Sequence, residues 1–206
     1  MTWLNFSQQY ETSGRKKLDG YSAADFEGMD AEELKKAEAM LIKDAKELDT
    51  SAFQGLAILK TADGEAALRE ILGQATAPGL VHLYAAKALY DITEDEDFLH
   101  EMMQDIESND RNIYEQAVVA LAQTKPSEFQ FEVMKFVITE SSEISIARSE
   151  AAGALIRFFG FPPFREDRTT ERQLLEGKLF SATVGTIGQI IEEIKQVAQQ
   201  RGYAIP

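Results

Sequence analysis

A five-residue pattern of small residues and leucine recurs four times along this chain at nearly constant spacing. The pattern is Ala-x-x-(Ala or Gly)-Leu, and successive copies begin 33, 32 and 34 residues apart. Small residues at positions i and i+3 of a helix let a neighbouring backbone approach closely, and the leucine fills the groove beside them. The pattern therefore predicts four helices that pack at short range. The copies are Ala52/Gly55/Leu56, Ala85/Ala88/Leu89, Ala117/Ala120/Leu121 and Ala151/Ala154/Leu155.

A second amphipathic segment follows each of the first three copies after a short break. Apolar residues recur there at helical spacing, as in Phe98, Met102 and Ile106. Thr93 and Glu96 have the spacing of a capping box, which predicts that the middle segment begins at this point. Each unit is therefore expected to be two helices joined by a turn. Because one such hairpin cannot bury its apolar face alone, the copies are expected to stack.

These repeated hairpins resemble HEAT-like helical repeats, most closely the short, alanine-rich type described in phycobilisome lyases. The resemblance covers about residues 50–160 and implies an all-α fold, namely a right-handed α-solenoid of about four helix-turn-helix repeats. Residues 1–49 and 161–206 are then expected to form helical caps, so that residues 1–206 make a single domain. The alternative is an irregular helical bundle with an alanine-rich core.

The charge of the chain narrows the classes of partner. It has 35 acidic and 21 basic residues, and a net charge of -14. Nucleic acid and anionic membranes are disfavoured because both require lysine and arginine, whereas a basic protein partner is favoured. The absence of cysteine excludes disulfides and thiolate chemistry. Without a signal pattern or an apolar stretch of bilayer length, the expected location is cytoplasmic.

No arrangement of side chains in the sequence indicates catalysis. His82 lies in an apolar run, which indicates a packed residue, and His100 lies among carboxylates, which indicates a solvated one. Asp91, Thr93, Asp95 and Asp97 alternate as at the start of a calcium loop. However, Glu96 stands where that loop requires glycine, and Met102 stands where it requires a bidentate glutamate. We therefore predict no catalytic residue, no metal and no cofactor.

Residues 93–110 hold eight carboxylates and no lysine or arginine. Acids in a first helical turn are stabilised by the helix dipole, which accounts for the four acids from Glu94 to Asp97. It does not account for Glu101, Asp105 and Glu107, which approach the opposite end of the helix. This face is either solvated or binds a partner. The residues predicted to bind a partner are Glu65, Glu70, Glu94, Asp97, Glu101, Asp105, Glu107, Glu128 and Glu132.

The resemblance places these acids near a binding groove, because second helices usually line the concave face of a HEAT-like stack. The sequence therefore favours a non-catalytic protein-binding module. More specifically, it favours an acidic immunity or inhibitor protein that neutralises a basic toxin domain such as a nuclease. The alternative is an adaptor or scaffold of a larger complex, and the third hypothesis is a HEAT-like lyase or other enzyme.

Overall fold

The computed structural model of the chain describes residues 2–11, 20–140, 146–163, 166 and 169–204. Within these ranges the chain forms eleven α-helices and one 3₁₀ turn, and no β-strand, so the all-α prediction is confirmed. The helices are α1 Thr2–Tyr10, α2 Ala31–Lys46, α3 Thr50–Leu59, α4 Ala62–Gln74, α5 Leu80–Thr93, α6 Asp97–Ile106, α7 Arg111–Ala122, α8 Glu128–Glu140, α9 Ile146–Phe158, α10 Thr170–Phe180 and α11 Ile187–Gln200.

The helices belong to two compact units. The first unit is Met1–Ser108 and the second is Asn109–Pro206. Helices α1 to α6 lie in the first unit, and α7 to α11 lie in the second. The assignment of a single domain with two terminal caps stays a prediction. Among the described residues, no helix combines the length and the apolar character needed to cross a membrane.

The four repeated motifs lie in α3, α5, α7 and α9, and all of their alanine, glycine and leucine residues are buried. Within the first unit α3 packs on α5, and within the second unit α7 packs on α9. Gly55 shows why the motif uses small residues: an added Cβ would lie 2.9 Å from Leu41 of α2 and 3.1 Å from Tyr21. The sequence pattern therefore marks the helix faces that pack most closely.

Polar side chains fix the ends of several helices. Asp30 caps α2 by accepting hydrogen bonds from the backbone N–H groups of Glu32 and Glu33 at 2.9 Å. The first turn of a helix leaves such N–H groups without a partner in the helix, and the helix dipole favours a negative charge at this end. In the second unit Gln130 is buried on α8. Its Nε2 atom donates to the carbonyls of Leu121 (2.8 Å) and Thr124 (3.1 Å) where α7 ends. Gln130 thereby satisfies carbonyls that the helix itself leaves unbonded.

An aromatic cluster holds α1 in the first unit. Phe6 is fully buried, and the hydroxyl of Tyr10 donates to Asp44 of α2 at 3.1 Å. Rings packed around Phe6, with centroids 5.4–5.7 Å away, belong to Trp3, Tyr10, Tyr21 and Phe26. Because Tyr21 and Phe26 lie beside the 3₁₀ turn Ala23–Asp25, the cluster joins the first helix to the segment that precedes α2.

Candidate protein-binding surface

The turn between α5 and α6 is shaped by two side chains. Thr93 is the last residue of α5, and its hydroxyl donates to the carbonyl of Leu89 at 2.8 Å. Asp95 then accepts the backbone N–H of Asp97, the first residue of α6, at 3.1 Å. The predicted capping box of Thr93 and Glu96 is therefore wrong. Thr93 ends the preceding helix, and the carboxylate of Asp95 bonds to the first backbone N–H group of the next helix.

Four consecutive carboxylates are exposed at this turn, and we call Glu94, Asp95, Glu96 and Asp97 the acidic turn. Glu94 has a left-handed backbone with φ of 58°, which reverses the chain direction between the helices. No lysine or arginine of the described residues forms an ion pair with Asp95, Glu96 or Asp97. Asp95, Glu96 and Asp97 therefore present their negative charge to solvent.

Asp105 does not lie on the exposed surface, and its assignment as a partner-binding residue is corrected. Its side chain is fully buried. Oδ1 accepts the backbone N–H of Gly79 at 2.7 Å, and Oδ2 lies 2.9 Å from Nδ1 of His82. Gly79 precedes the first residue of α5, so Asp105 of α6 holds the start of α5. A buried carboxylate with these two contacts serves the fold and is not accessible to a partner.

His82 is buried, with 4 % of its surface exposed, as its apolar sequence context predicts. Its second ring nitrogen, Nε2, lies 3.3 Å from Oε2 of Glu101, and that oxygen also accepts from Nε2 of Gln104 at 2.7 Å. Since carboxylates cover both nitrogens, His82 links α5 to α6 and is not placed to act as an accessible base. Glu101 is half-buried and takes part in this link.

The remaining predicted residues of the first unit differ in their surroundings. Glu70 and Glu107 are exposed. Glu65 accepts from Nε of Arg69 at 2.8 Å. The guanidinium of Arg69 also lies 5.1 Å from the ring centroid of Phe98 on α6, so α4 brings a positive charge close to the acidic helix. Glu65 is therefore partly neutralised, and Glu70 and Glu107 are more available to a partner.

Glu128 and Glu132 lie on α8 in the second unit, and both are exposed. Glu132 accepts from Nζ of Lys135 at 2.9 Å, a surface pair of the kind that contributes little to stability. Each unit thus carries exposed acids of its own. A continuous acidic strip that includes both sets stays a prediction.

Neither a metal site nor a known relative narrows the function of this chain. Within the part of the chain that the structure describes, no group of three or more His, Asp or Glu side chains is arranged to hold a metal ion. Comparison with protein-family models, with curated proteins and with solved structures finds no match. The resemblance to HEAT-like repeats therefore stays a prediction, and a functional hypothesis has to rest on the side chains themselves.

Proposed function

We propose that this chain is a non-catalytic module that binds a basic protein partner through the acidic turn. The observation that carries the proposal is the run of four consecutive exposed carboxylates from Glu94 to Asp97. Because the whole chain has a net charge of -14, it attracts a basic partner over a distance, and the acidic turn then favours one orientation of the encounter. Glu70 and Glu107 are further exposed acids of the first unit.

The narrower proposal is an acidic immunity or inhibitor protein, located in the cytoplasm, that neutralises a basic toxin domain such as a nuclease. An enzyme that acts on nucleic acid presents lysine and arginine to phosphate groups. A surface of exposed carboxylates is complementary to such an active site and can occupy it. The same surface disfavours binding of nucleic acid or anionic membranes by the chain itself.

We also propose that the hairpins are turns of a right-handed HEAT-like solenoid. The packing of α3 on α5, and of α7 on α9, supports this arrangement within each unit. Repeats of this class stack their hairpins and bind partners along a concave surface. In the first unit the second helices α4 and α6 would line such a surface, and Glu65 would join its binding face. In the second unit α8 would do so, with Glu128 and Glu132.

The first experiment is affinity capture from the source cells, followed by identification of the bound proteins by mass spectrometry. A single basic protein whose activity falls when the chain binds is the expected result. Capture of a stable multi-subunit assembly would favour the adaptor or scaffold alternative. Robust turnover of a small molecule by the purified chain would overturn a purely binding function.

The second experiment tests the acidic turn against the captured partner. In the double variant Glu94→Lys/Glu96→Lys, association at low salt should be at least about tenfold slower. The matched control is Glu27→Lys/Glu47→Lys, which reverses two exposed acids elsewhere in the first unit and changes the net charge by the same amount. Its association rate should stay within about threefold of wild type, because the local patch is intact. Equal slowing in both variants would refute the acidic turn as the interface.

A further inference from the structure

A cavity of about 370 Å³ lies between α9 and α10 in the second unit. Its volume is near the lower end of the range for small-molecule sites, and it holds a ligand of on the order of ten non-hydrogen atoms, judged from the volume of a water molecule. Arg172 lines the cavity and is fully buried, whereas Ser149 and Gly177 also line it and are exposed. The cavity therefore extends from a buried arginine to solvent.

Two helical glycines, Gly153 on α9 and Gly177 on α10, keep this space open. An added Cβ at Gly177 would meet no atom within 4 Å, and one at Gly153 would meet only Nη1 of Arg157, at 3.4 Å. Packing therefore does not require glycine at Gly177 and hardly requires it at Gly153. Glycine inside a helix makes the helix less stable than alanine does. The two glycines therefore preserve the volume of the cavity while they lower the stability of α9 and α10.

Arg157 presents a guanidinium to the cavity with most of its donors unused. The side chain is half-buried, and its Nη2 atom donates to the carbonyl of Ala122 at 2.7 Å. It forms no ion pair with any carboxylate of the described residues. Burial lowers the pKa of Arg157, although the nearby carboxylate of Glu150 opposes that shift. A guanidinium has five N–H donors in a fork that matches a carboxylate, so this group is suited to bind one.

The other charged residues of the cavity limit the charge of the ligand. Arg172 donates from Nε and Nη2 to the same oxygen of Glu176, at 3.1 and 2.9 Å, so this pair is largely self-neutralised. Glu150 adds a further negative charge to the lining. The lining therefore holds two arginines and two glutamates, and its formal charges cancel. The two carboxylates in the wall repel a ligand with two negative charges, such as a phosphate or a dicarboxylate, more strongly than a ligand with a single carboxylate.

We propose that this cavity is a binding site for a small organic monocarboxylate. The carboxylate accepts hydrogen bonds from Arg157, and the apolar body of the ligand lies over Gly153 and Gly177 against the ring of Phe180. The lining residues lie on α9 and α10, and the site is independent of the acidic turn, which lies in the other unit.

Benzoate is a suitable probe, and benzyl alcohol is the matched neutral compound. Titration of the isotope-labelled full chain, followed by NMR, should show saturable shifts at the backbone amides of Gly153 and Gly177. A dissociation constant of about a millimolar is expected for so small a ligand, with benzyl alcohol at least about tenfold weaker. Arg157→Gln should weaken benzoate binding by a similar factor. Absence of saturable shifts at these amides, or equal binding of the two compounds, would overturn the proposal.

Gly177→Leu tests the cavity without removing a charge. Its control is Gly188→Leu on α11, another helical glycine at which an added Cβ meets no atom within 4 Å. Leucine is a stronger helix former than glycine, so neither variant should melt below wild type. Only Gly177→Leu should lose benzoate affinity, by at least about tenfold, because its side chain occupies the cavity. Unchanged affinity in Gly177→Leu would show that benzoate binds elsewhere.

Discussion

Replacing Asp105 with alanine should destabilise the first unit by about 3–5 kcal/mol, because two buried hydrogen-bonding groups lose their carboxylate acceptor. The carboxylate is fully buried and has two contacts, the backbone N–H of Gly79 at 2.7 Å and Nδ1 of His82 at 2.9 Å. Alanine removes both acceptors at once and leaves two donors enclosed. The start of α5 then loses its link to α6.

The size of the effect follows from these contacts. A hydrogen bond that involves a charged group contributes about 1.5–3 kcal/mol, and a buried donor left without an acceptor costs its full desolvation penalty. In the variant His82 keeps its contact with Glu101 through Nε2. The expected loss of stability is therefore smaller than the summed free energies of two independent hydrogen bonds. Total stabilities of natural proteins are only about 5–15 kcal/mol, so the variant should lose a large fraction of its stability.

The assay is urea unfolding followed by tryptophan fluorescence. The chain has one tryptophan, Trp3, which lies on α1 in the first unit with Nζ of Lys36 4.4 Å from its ring centroid. Its emission therefore reports unfolding of the unit that contains Asp105. With a denaturant slope of about 2 kcal/mol per molar, the transition midpoint should fall by about 2 M urea.

Two further variants serve as comparisons for Asp105→Ala. Asp105→Asn keeps an acceptor for Gly79 but loses the charge opposite His82, so it should cost only about 1–2 kcal/mol. Glu107→Ala removes an exposed acid just past the end of the same helix and should change stability by less than about 0.5 kcal/mol. A loss of less than about 1 kcal/mol in Asp105→Ala would refute the reasoning, because two buried groups left without an acceptor should cost more than that.

Two other predictions concern packing and pH in the first unit. Gly55→Ala should destabilise the chain by about 1–3 kcal/mol in thermal or urea unfolding, because its Cβ would crowd Leu41. The control Gly73→Ala should stabilise the chain, because its Cβ meets no atom within 4 Å. A Gly55→Ala variant that is more stable than Gly73→Ala would contradict this prediction. Burial raises the pKa of Tyr21, and the carboxylate of Asp44 raises it further. The folded state thus disfavours ionisation, so the contribution of Tyr21 is complete below the unfolded pKa of about 10 and is lost above it at about 1.4 kcal/mol per pH unit. Tyr21→Phe should flatten the decline of stability above about pH 10; an unchanged pH profile would count against the raised pKa.

The sequence was sufficient to predict the helices and the faces that pack. Small residues at i and i+3 followed by leucine are informative because close helix packing leaves no room for larger side chains. Gly55 against Leu41 shows this constraint directly. The stretch that begins with Thr93 was harder, because a threonine can cap the next helix or bond back to the carbonyl of the preceding turn. Which of the two occurs depends on where α5 ends, and local spacing does not determine that.

The position of Asp105 could have been inferred from helical spacing. It follows Phe98 by seven residues and Met102 by three, which places it on the same apolar face as these two buried side chains. His82, isolated within an apolar run, is the matching polar residue on α5. Their pairing was not predictable because they are 23 residues apart, and only the packing of α5 on α6 brings them together. The cavity beside Arg157 was missed for the same reason, since it forms between two helices.

The link between Asp105 and Gly79 also affects the far end of the α5–α6 hairpin. The link joins the end of α6 to the start of α5, while hydrogen bonds of Thr93 and Asp95 order the turn at the opposite end. A hairpin held at both ends has little backbone freedom left to lose. A partner that binds the acidic turn would then meet carboxylates on an ordered backbone, and little of the binding free energy would be spent on ordering it.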